Sequence, residues 1–185
     1  CKPAVVCVTS GPGATNAITG VAGAWVDSIP MIVISGQTKS TLTIESSGLP
    51  LRCLGNQEID IVPVVKPITK NAVMIHKPEE IRRELEKALY LSVNGRPGPV
   101  WIDIPLDIQG SKIDPDTLEG YMPTEQPDYA PKQADIDVIV EKLKTAKRPV
   151  IYAGNGIRIA DAYPEFSQLV EVLQIPVVTA WNSID

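Results

Sequence analysis

Residues 4–16 read AVVCVTSGPGATN. Ala4–Thr9 is a short, β-branched, apolar run of the kind that forms a strand buried on both faces. Ile18, Val21, Ala22 and Trp25 then follow at helical spacing. Between them the chain places almost no side chain. Such a strand-to-helix junction is either a tight turn or a place where a ligand comes against the backbone. Glycine permits that approach, and the following helix N-terminus favours negative or polarisable groups. The segment has no lysine for a Walker loop and does not spell the G-x-G-x-x-G dinucleotide pattern.

The same alternation continues outward. Met31–Ser35 (MIVIS) reads as a second strand, bounded by Pro30. A long polar stretch, 36–62, has weak periodicity, and irregular segments of that length in compact domains are often functional. Asn71–Ile75 reads as a strand. Pro78 opens a helix whose expected buried face is Ile81, Leu85, Ala88 and Leu89. The helix ends at NGRPGP (94–99), and VWIDIP (100–105) is another strand. Near-continuously apolar strands alternating with helices predict an α/β fold, a parallel sheet with helices on both faces. Met31, Trp25 and Trp101 are expected in the core.

From residue 109 the character changes. Pro115, Pro123, Pro127 and Pro131 punctuate an acidic, aperiodic stretch that reads as an extended linker. A second α/β pattern follows, with a helix marked by Ile136, Ile139, Val140 and Leu143 and a strand at 149–153. GNGIR (154–158) reads as a turn, Phe166, Leu169, Val170 and Leu173 mark another helix, and 176–180 is a strand. The domain reading is 1–110, a linker over 111–131, and 132–185 as the beginning of a Rossmann-like domain. That last part holds too few βα repeats for a doubly wound sheet. Both ends of the chain look cut, so a fragment of a longer protein is expected.

The net charge is -5, which argues against nucleic acid or an anionic membrane as partner. No apolar run reaches membrane-spanning length and no signal peptide is visible. Cys1, Cys7 and Cys53 lack metal or redox spacing, and reduced thiols in a cytoplasmic protein are the default reading. The single histidine, His76, makes a His-based triad or metal site improbable and reads as a surface or cap residue. Glu45, Glu58 and Asp60 read as solvated loop carboxylates. The Gly154-x-Gly156 pair lacks the third glycine of the dinucleotide pattern, since Ile159 stands there.

Several stretches together resemble the pyrimidine-binding domain of thiamine-diphosphate enzymes, and specifically the acetolactate synthase large subunit. They are VCVTSGPGATNAITGVAGAWVDSIPMIVISGQ (6–37), PITK (67–70) and YLSVNGRPGPVWIDIPLDIQ (90–109). RPVIYAGNGI (148–157) and IPVVTAW (175–181) resemble the start of the same family's central domain. The resemblance implies an incomplete thiamine-diphosphate-binding fold followed by a truncated central domain. The implied activity is decarboxylation of a 2-keto acid and transfer of the two-carbon enamine to an acceptor carbonyl.

The resemblance also implies roles. Pro12 and Gly13 bring backbone near the aminopyrimidine ring of thiamine diphosphate, and Asn16 hydrogen-bonds its pyrimidine side. Gln57 matches a family glutamine that reaches the active site and is the catalytic candidate. Arg96 matches an arginine that contacts FAD, and Gly154 and Gly156 lie near the same nucleotide. Lys70 is a candidate for a substrate- or loop-contacting position. The family's catalytic glutamate and its magnesium-diphosphate motif are expected outside this chain, which holds no metal ligand and alone is expected to be inactive. A homodimer or homotetramer is implied, with a small regulatory subunit as a further partner. The chain departs from the family where Asn56 replaces a phenylalanine, in a longer 38–56 loop, and at GNGIR. The alternative reading is a non-catalytic FAD- or adenine-nucleotide-binding module, or a regulatory protein derived from such an enzyme.

Overall fold

Four parallel strands frame the first of two units, residues 1–123 and 124–185. The computed structural model describes residues 2–124 and 130–184. Cys1, Pro127 and the rest of 125–129 within the expected linker lie outside the described residues.

In unit 1 the strands are β1 (Ala4–Val8), β2 (Met31–Gln37), β3 (Ala72–Met74) and β4 (Pro99–Pro105), in the order β1-β2-β4-β3. Their connections carry α1 (Pro12–Asn16), α2 (Ile18–Asp27), α3 (Ile44–Ser47), α4 (Ile61–Val65) and α5 (Ile81–Val93), and α6 (Leu106–Gln109) follows β4. Because side chains alternate across a strand, β2 and β4 divide cleanly between two faces. Val33 and Trp101, opposite one another in register, join Ala14, Val21, Ile61 and Val65 beneath α2 and α4. Ile32, Val100 and Ile102 join Ile75 and Ala88 beneath α5. Helices therefore cover both faces, and the central strands are largely buried, as their mainly apolar character requires.

Two helical faces sit one step around from their expected positions. In α2 the buried stripe is Val21, Ala24 and Ser28, which leaves Trp25 39% exposed. In α5 the stripe is Glu84, Ala88 and Ser92, so Leu85 and Leu89 face outward. Adjacent residues on a helix lie about 100° apart, and an apolar residue beside the true stripe fits the same spacing. Trp101 is fully buried as expected, and Met31 is half-buried.

Residues 114–121 fold back on α5. The backbone N–H of Tyr121 donates to Glu86 at 2.7 Å, Arg82 donates to the Leu118 carbonyl at 3.1 Å, and the Tyr90 and Tyr121 rings lie 5.7 Å apart.

Unit 2 holds α7 (Gln133–Thr145), β5 (Ile151–Ala153), α8 (Gly156–Ile159), α9 (Tyr163–Leu173) and β6 (Val177–Thr179). β5 and β6 pair in parallel. Ile136, Ile139 and Val140, the apolar face expected of α7, are exposed. The second half of GNGIR is not a turn but the first turn of α8. No helix among the described residues is long and apolar enough to cross a membrane.

Candidate functional site

The SGPG turn lies at the carboxyl end of β1, where parallel α/β sheets bind ligands. Gly11 there has φ of 53° and ψ of -115°, a conformation that only glycine adopts without strain. A Cβ on Gly11 would stand 2.0 Å from the Gln57 carbonyl oxygen. The turn and the Gln57 segment thus touch backbone to backbone, and Gln57 itself has a positive φ of 56°. Pro12 and Gly13 open α1, and Asn16 is its exposed last residue. A Cβ on Gly13 would meet only the Thr9 side chain, at 2.4 Å. The need for glycine is therefore strictest at Gly11, which the sequence reading did not single out.

Beside this turn an open cleft of about 710 Å³ lies between the carboxyl ends of β1, β2 and β4. Val8, Ile34 and Ile104 give it apolar walls, and Ser10, Gln37 and Asn56 give it polar edges. Apolar walls with a few convergent polar groups suit a flat heteroaromatic ring with a hydrogen-bonding edge, and so fit a pyrimidine.

The loop between β2 and α4 is held in shape by two carboxylates. Glu58 was expected to be solvated but is buried, 6% exposed. It accepts from the backbone N–H groups of Leu54 at 2.9 Å, Gly55 at 3.1 Å and Ile44. Buried N–H groups need partners, and a carboxylate supplies several acceptor sites at once. Asp107, after β4, accepts from the N–H and the hydroxyl of Ser40 at 2.8 and 2.5 Å, which holds its carboxyl below the usual range. Glu45 and Asp60 line a smaller pocket with His76, whose side chain is exposed.

A buried polar chain crosses the sheet beneath the loop. Ser35 and Asp103 are register partners. Trp101 Nε1 donates to Ser35 Oγ at 2.7 Å, and Ser35 donates to Asp103 Oδ1 at 2.5 Å. Gln37 Nε2 donates to Asp103 Oδ2 and to the Ile59 carbonyl, both at 2.9 Å. Burial pushes the Asp103 carboxyl up to about 6, with the negative field of Asp60 adding and the Ser35 and Gln37 hydrogen bonds opposing. A folded chain with that value holds a proton at pH 5 that the unfolded chain releases near 3.9. The Asp103 contribution to stability is then fully present below pH about 4 and is lost as pH rises through about 6, an effect of up to about 3 kcal/mol. Denaturant unfolding at pH 4.5 and 7.5 checks this. The stability of wild type relative to Asp103→Asn is expected to be higher at the lower pH, and an unchanged difference would sink the assignment.

The remaining candidates lie elsewhere. Arg96 precedes β4 and donates from Nε to Ser28 Oγ at 2.7 Å, at the amino ends of the strands. β4 has seven residues, so Arg96 is on the order of 20 Å from the Gln57 end. Arg96 lines a pocket of about 380 Å³ with Lys70, Trp25, Val26 and Pro97. Lys70 Nζ donates to the Asn94 carbonyl at 2.5 Å, and burial lowers its pKa. Gly154 lies in unit 2, in a pocket of about 550 Å³ bordered by Asn155, Arg158, Tyr163 and Phe166. Gly156 begins α8 beside it, and neither glycine has a neighbour where a Cβ would stand. Asn155 Oδ1 is buried there without a hydrogen-bond partner. Within unit 1 the structure thus brings Pro12, Gly13 and Asn16 to the same end of the sheet as Gln57, and puts Arg96 at the opposite end.

Residues 1–62 match the thiamine pyrophosphate enzyme N-terminal TPP binding domain, and residues 136–185 match the central domain of the same enzymes. The matches come in that order along one chain and together span more than half of it. With the parallel sheet and its cleft, they place the chain in the thiamine pyrophosphate enzyme family. Within that family it is similar to acetolactate synthase large subunits. It is 40% identical over 178 residues to the large subunit of Corynebacterium glutamicum, covering 94% of this chain and 27% of that one. It is 38% identical to the isozyme 3 large subunit of Escherichia coli, covering 94% and 29%, and 37% identical to the chloroplastic enzyme of Arabidopsis thaliana, covering 96% and 26%. The chain spans less than a third of the length of these relatives.

Proposed function

We propose that the protein is a thiamine-diphosphate carboligase of the acetolactate synthase type, and that this chain supplies the pyrimidine side of its active site. The observation that carries the reading is the apposition of Gly11 and Gln57 beside the cleft at the carboxyl end of the sheet. When bound, thiamine diphosphate supplies an electron sink for decarboxylation of a 2-keto acid and transfer of its remaining two carbons to an acceptor carbonyl. Pro12 and Gly13 would set the backbone against the ring. Asn16 would hydrogen-bond the ring's edge, and Gln57, beside the cleft, would orient substrate. Val8, Ile34 and Ile104 would give the ring an apolar bed. Magnesium with the diphosphate, a homodimer or homotetramer, a small regulatory subunit and a cytoplasmic setting belong to the same reading.

The complete protein is expected to form acetolactate from pyruvate when given thiamine diphosphate and magnesium. Its failure to make acetolactate or any other carboligation product overturns the reading. Asn16→Ala is expected to weaken thiamine diphosphate binding about tenfold, the worth of one hydrogen bond, measured by calorimetric titration. An unchanged affinity removes Asn16 from the site.

FAD is assigned to the unit 2 pocket. The unpartnered Asn155 Oδ1 and the open backbone at Gly154 and Gly156 favour a ligand that donates a hydrogen bond at close range. Within unit 1, Arg96 is a separate FAD-contact candidate carried by the family resemblance alone. A flavin absorption band in the purified protein supports this, and its absence even after incubation with FAD removes it.

A further inference from the structure

Gln37 is the last residue of β2 and is buried, 6% exposed. Its amide nitrogen bridges two acceptors, Asp103 Oδ2 on β4 and the backbone carbonyl of Ile59, two residues past Gln57. Its amide oxygen accepts from the N–H of Thr38 at 3.0 Å. The opposite orientation of the amide would set its oxygen against two acceptors and its nitrogen against a donor, so the surroundings fix which way it points. Asp103 is fixed in turn, because its other oxygen takes the Ser35 hydroxyl and Ser35 takes the Trp101 indole N–H. A rigid polar chain therefore runs from the centre of the sheet to the backbone that presents Gln57. On the other side of that backbone, the Gln57 carbonyl rests on Gly11.

We propose that Gln37 and Asp103 are positioning residues, a rivet between β4 and the Ile59 carbonyl that holds the Gln57 turn against the SGPG turn at the height of the cleft. Glu58 braces the turn within its own loop, and the Gln37 amide ties that loop to the sheet. Gln57 has a left-handed backbone without being glycine, a conformation that persists only where its surroundings impose it. Ordinary sheet pairing does not reach it, since β2 ends at Gln37 and the pairing of β3 begins at Ala72. The inference rests on the role proposed for Gln57, but the rivet itself has a test that does not.

That test is hydrogen exchange of the complete protein without added cofactor. Gln37→Met keeps the length and bulk of the side chain and removes both N–H donors. Exchange over residues 55–60 is expected to rise at least tenfold, with α5 unchanged. Asp103→Leu is expected to act in the same direction, and Asp103→Asn to preserve protection, because its amide oxygen still accepts from Gln37. This pair carries the test if Gln37→Met does not fold. Unaltered exchange over 55–60 in Gln37→Met and Asp103→Leu overturns the rivet.

The link to Gln57 is read in a double-mutant cycle on kcat. Gln37→Met is expected to lower kcat about tenfold with Gln57 intact, and less than twofold in a Gln57→Ala background, because the turn then has nothing to position. Equal losses in both backgrounds overturn the positioning role. A wild-type protein without carboligase activity would defeat the proposed function instead, and the exchange comparison would still decide the rivet.

Discussion

Gly11→Val is expected to abolish activity of the complete protein and to destabilise its N-terminal unit. The reason is local and has two parts. The backbone at Gly11, with φ of 53° and ψ of -115°, lies where L-residues are strained. A Cβ would also stand 2.0 Å from the Gln57 carbonyl, and backbone cannot rotate away as a side chain can. Strain of about 1–3 kcal/mol and overpacking of a similar size are both incurred. The chain can relieve them only by moving the SGPG turn away from Gln57, which opens the site. Alanine is expected to do the same to a smaller extent. Activity and thermal unfolding together check this. A valine variant with wild-type kcat would show that the two turns need not touch.

The second large effect is expected at Trp101. It is fully buried in β4, packs with Val33 and the helices α2 and α4, and donates the first hydrogen bond of the chain that ends at Ile59. Trp101→Ala leaves a large cavity and is expected to cost about 3–5 kcal/mol, measured by denaturant unfolding. Trp101→Phe keeps most of the packing and removes only the N–H, so about 1 kcal/mol is expected. If the two variants were equally unstable, the hydrogen bond rather than the packing would be the larger contribution.

How much of the fold and site is legible in the residues depends on the range of each signal. β2 and β4 are legible because both faces of a central parallel strand are mainly apolar, which needs no knowledge of the partners. β1, expected by the same signal to be buried on both faces, is instead an edge strand with Val5 60% exposed. The SGPG junction was legible as a close-approach turn, but which glycine is indispensable depends on Gln57, 46 positions away, and no local pattern holds that. Trp25, Leu85 and Leu89 were misplaced because an apolar residue one step from the buried stripe satisfies helical spacing equally well. Glu58 was read as solvated because its partners are backbone N–H groups, which no sequence displays. Ser35, Gln37 and Asp103 did carry a signal. Polar residues at alternate positions toward the end of otherwise apolar strands, on one face with Val33 and Trp101, point to a buried network. That regularity appears only after β2 and β4 are known to be neighbours.

The pairing of β2 with β4 also bears on how the chain reaches its fold. The central pair of the sheet joins residues such as Ser35 and Asp103, 68 positions apart, and β3 must take its place on the far side of β4. The entropy of closing that long loop is spent before the pairing returns anything, so refolding in the millisecond-to-second range is expected. Until β4 arrives, β2 has an open apolar edge able to pair with another copy of itself. Yield on refolding should therefore fall steeply with protein concentration, and the ordering of the Gln57 turn should be among the last events.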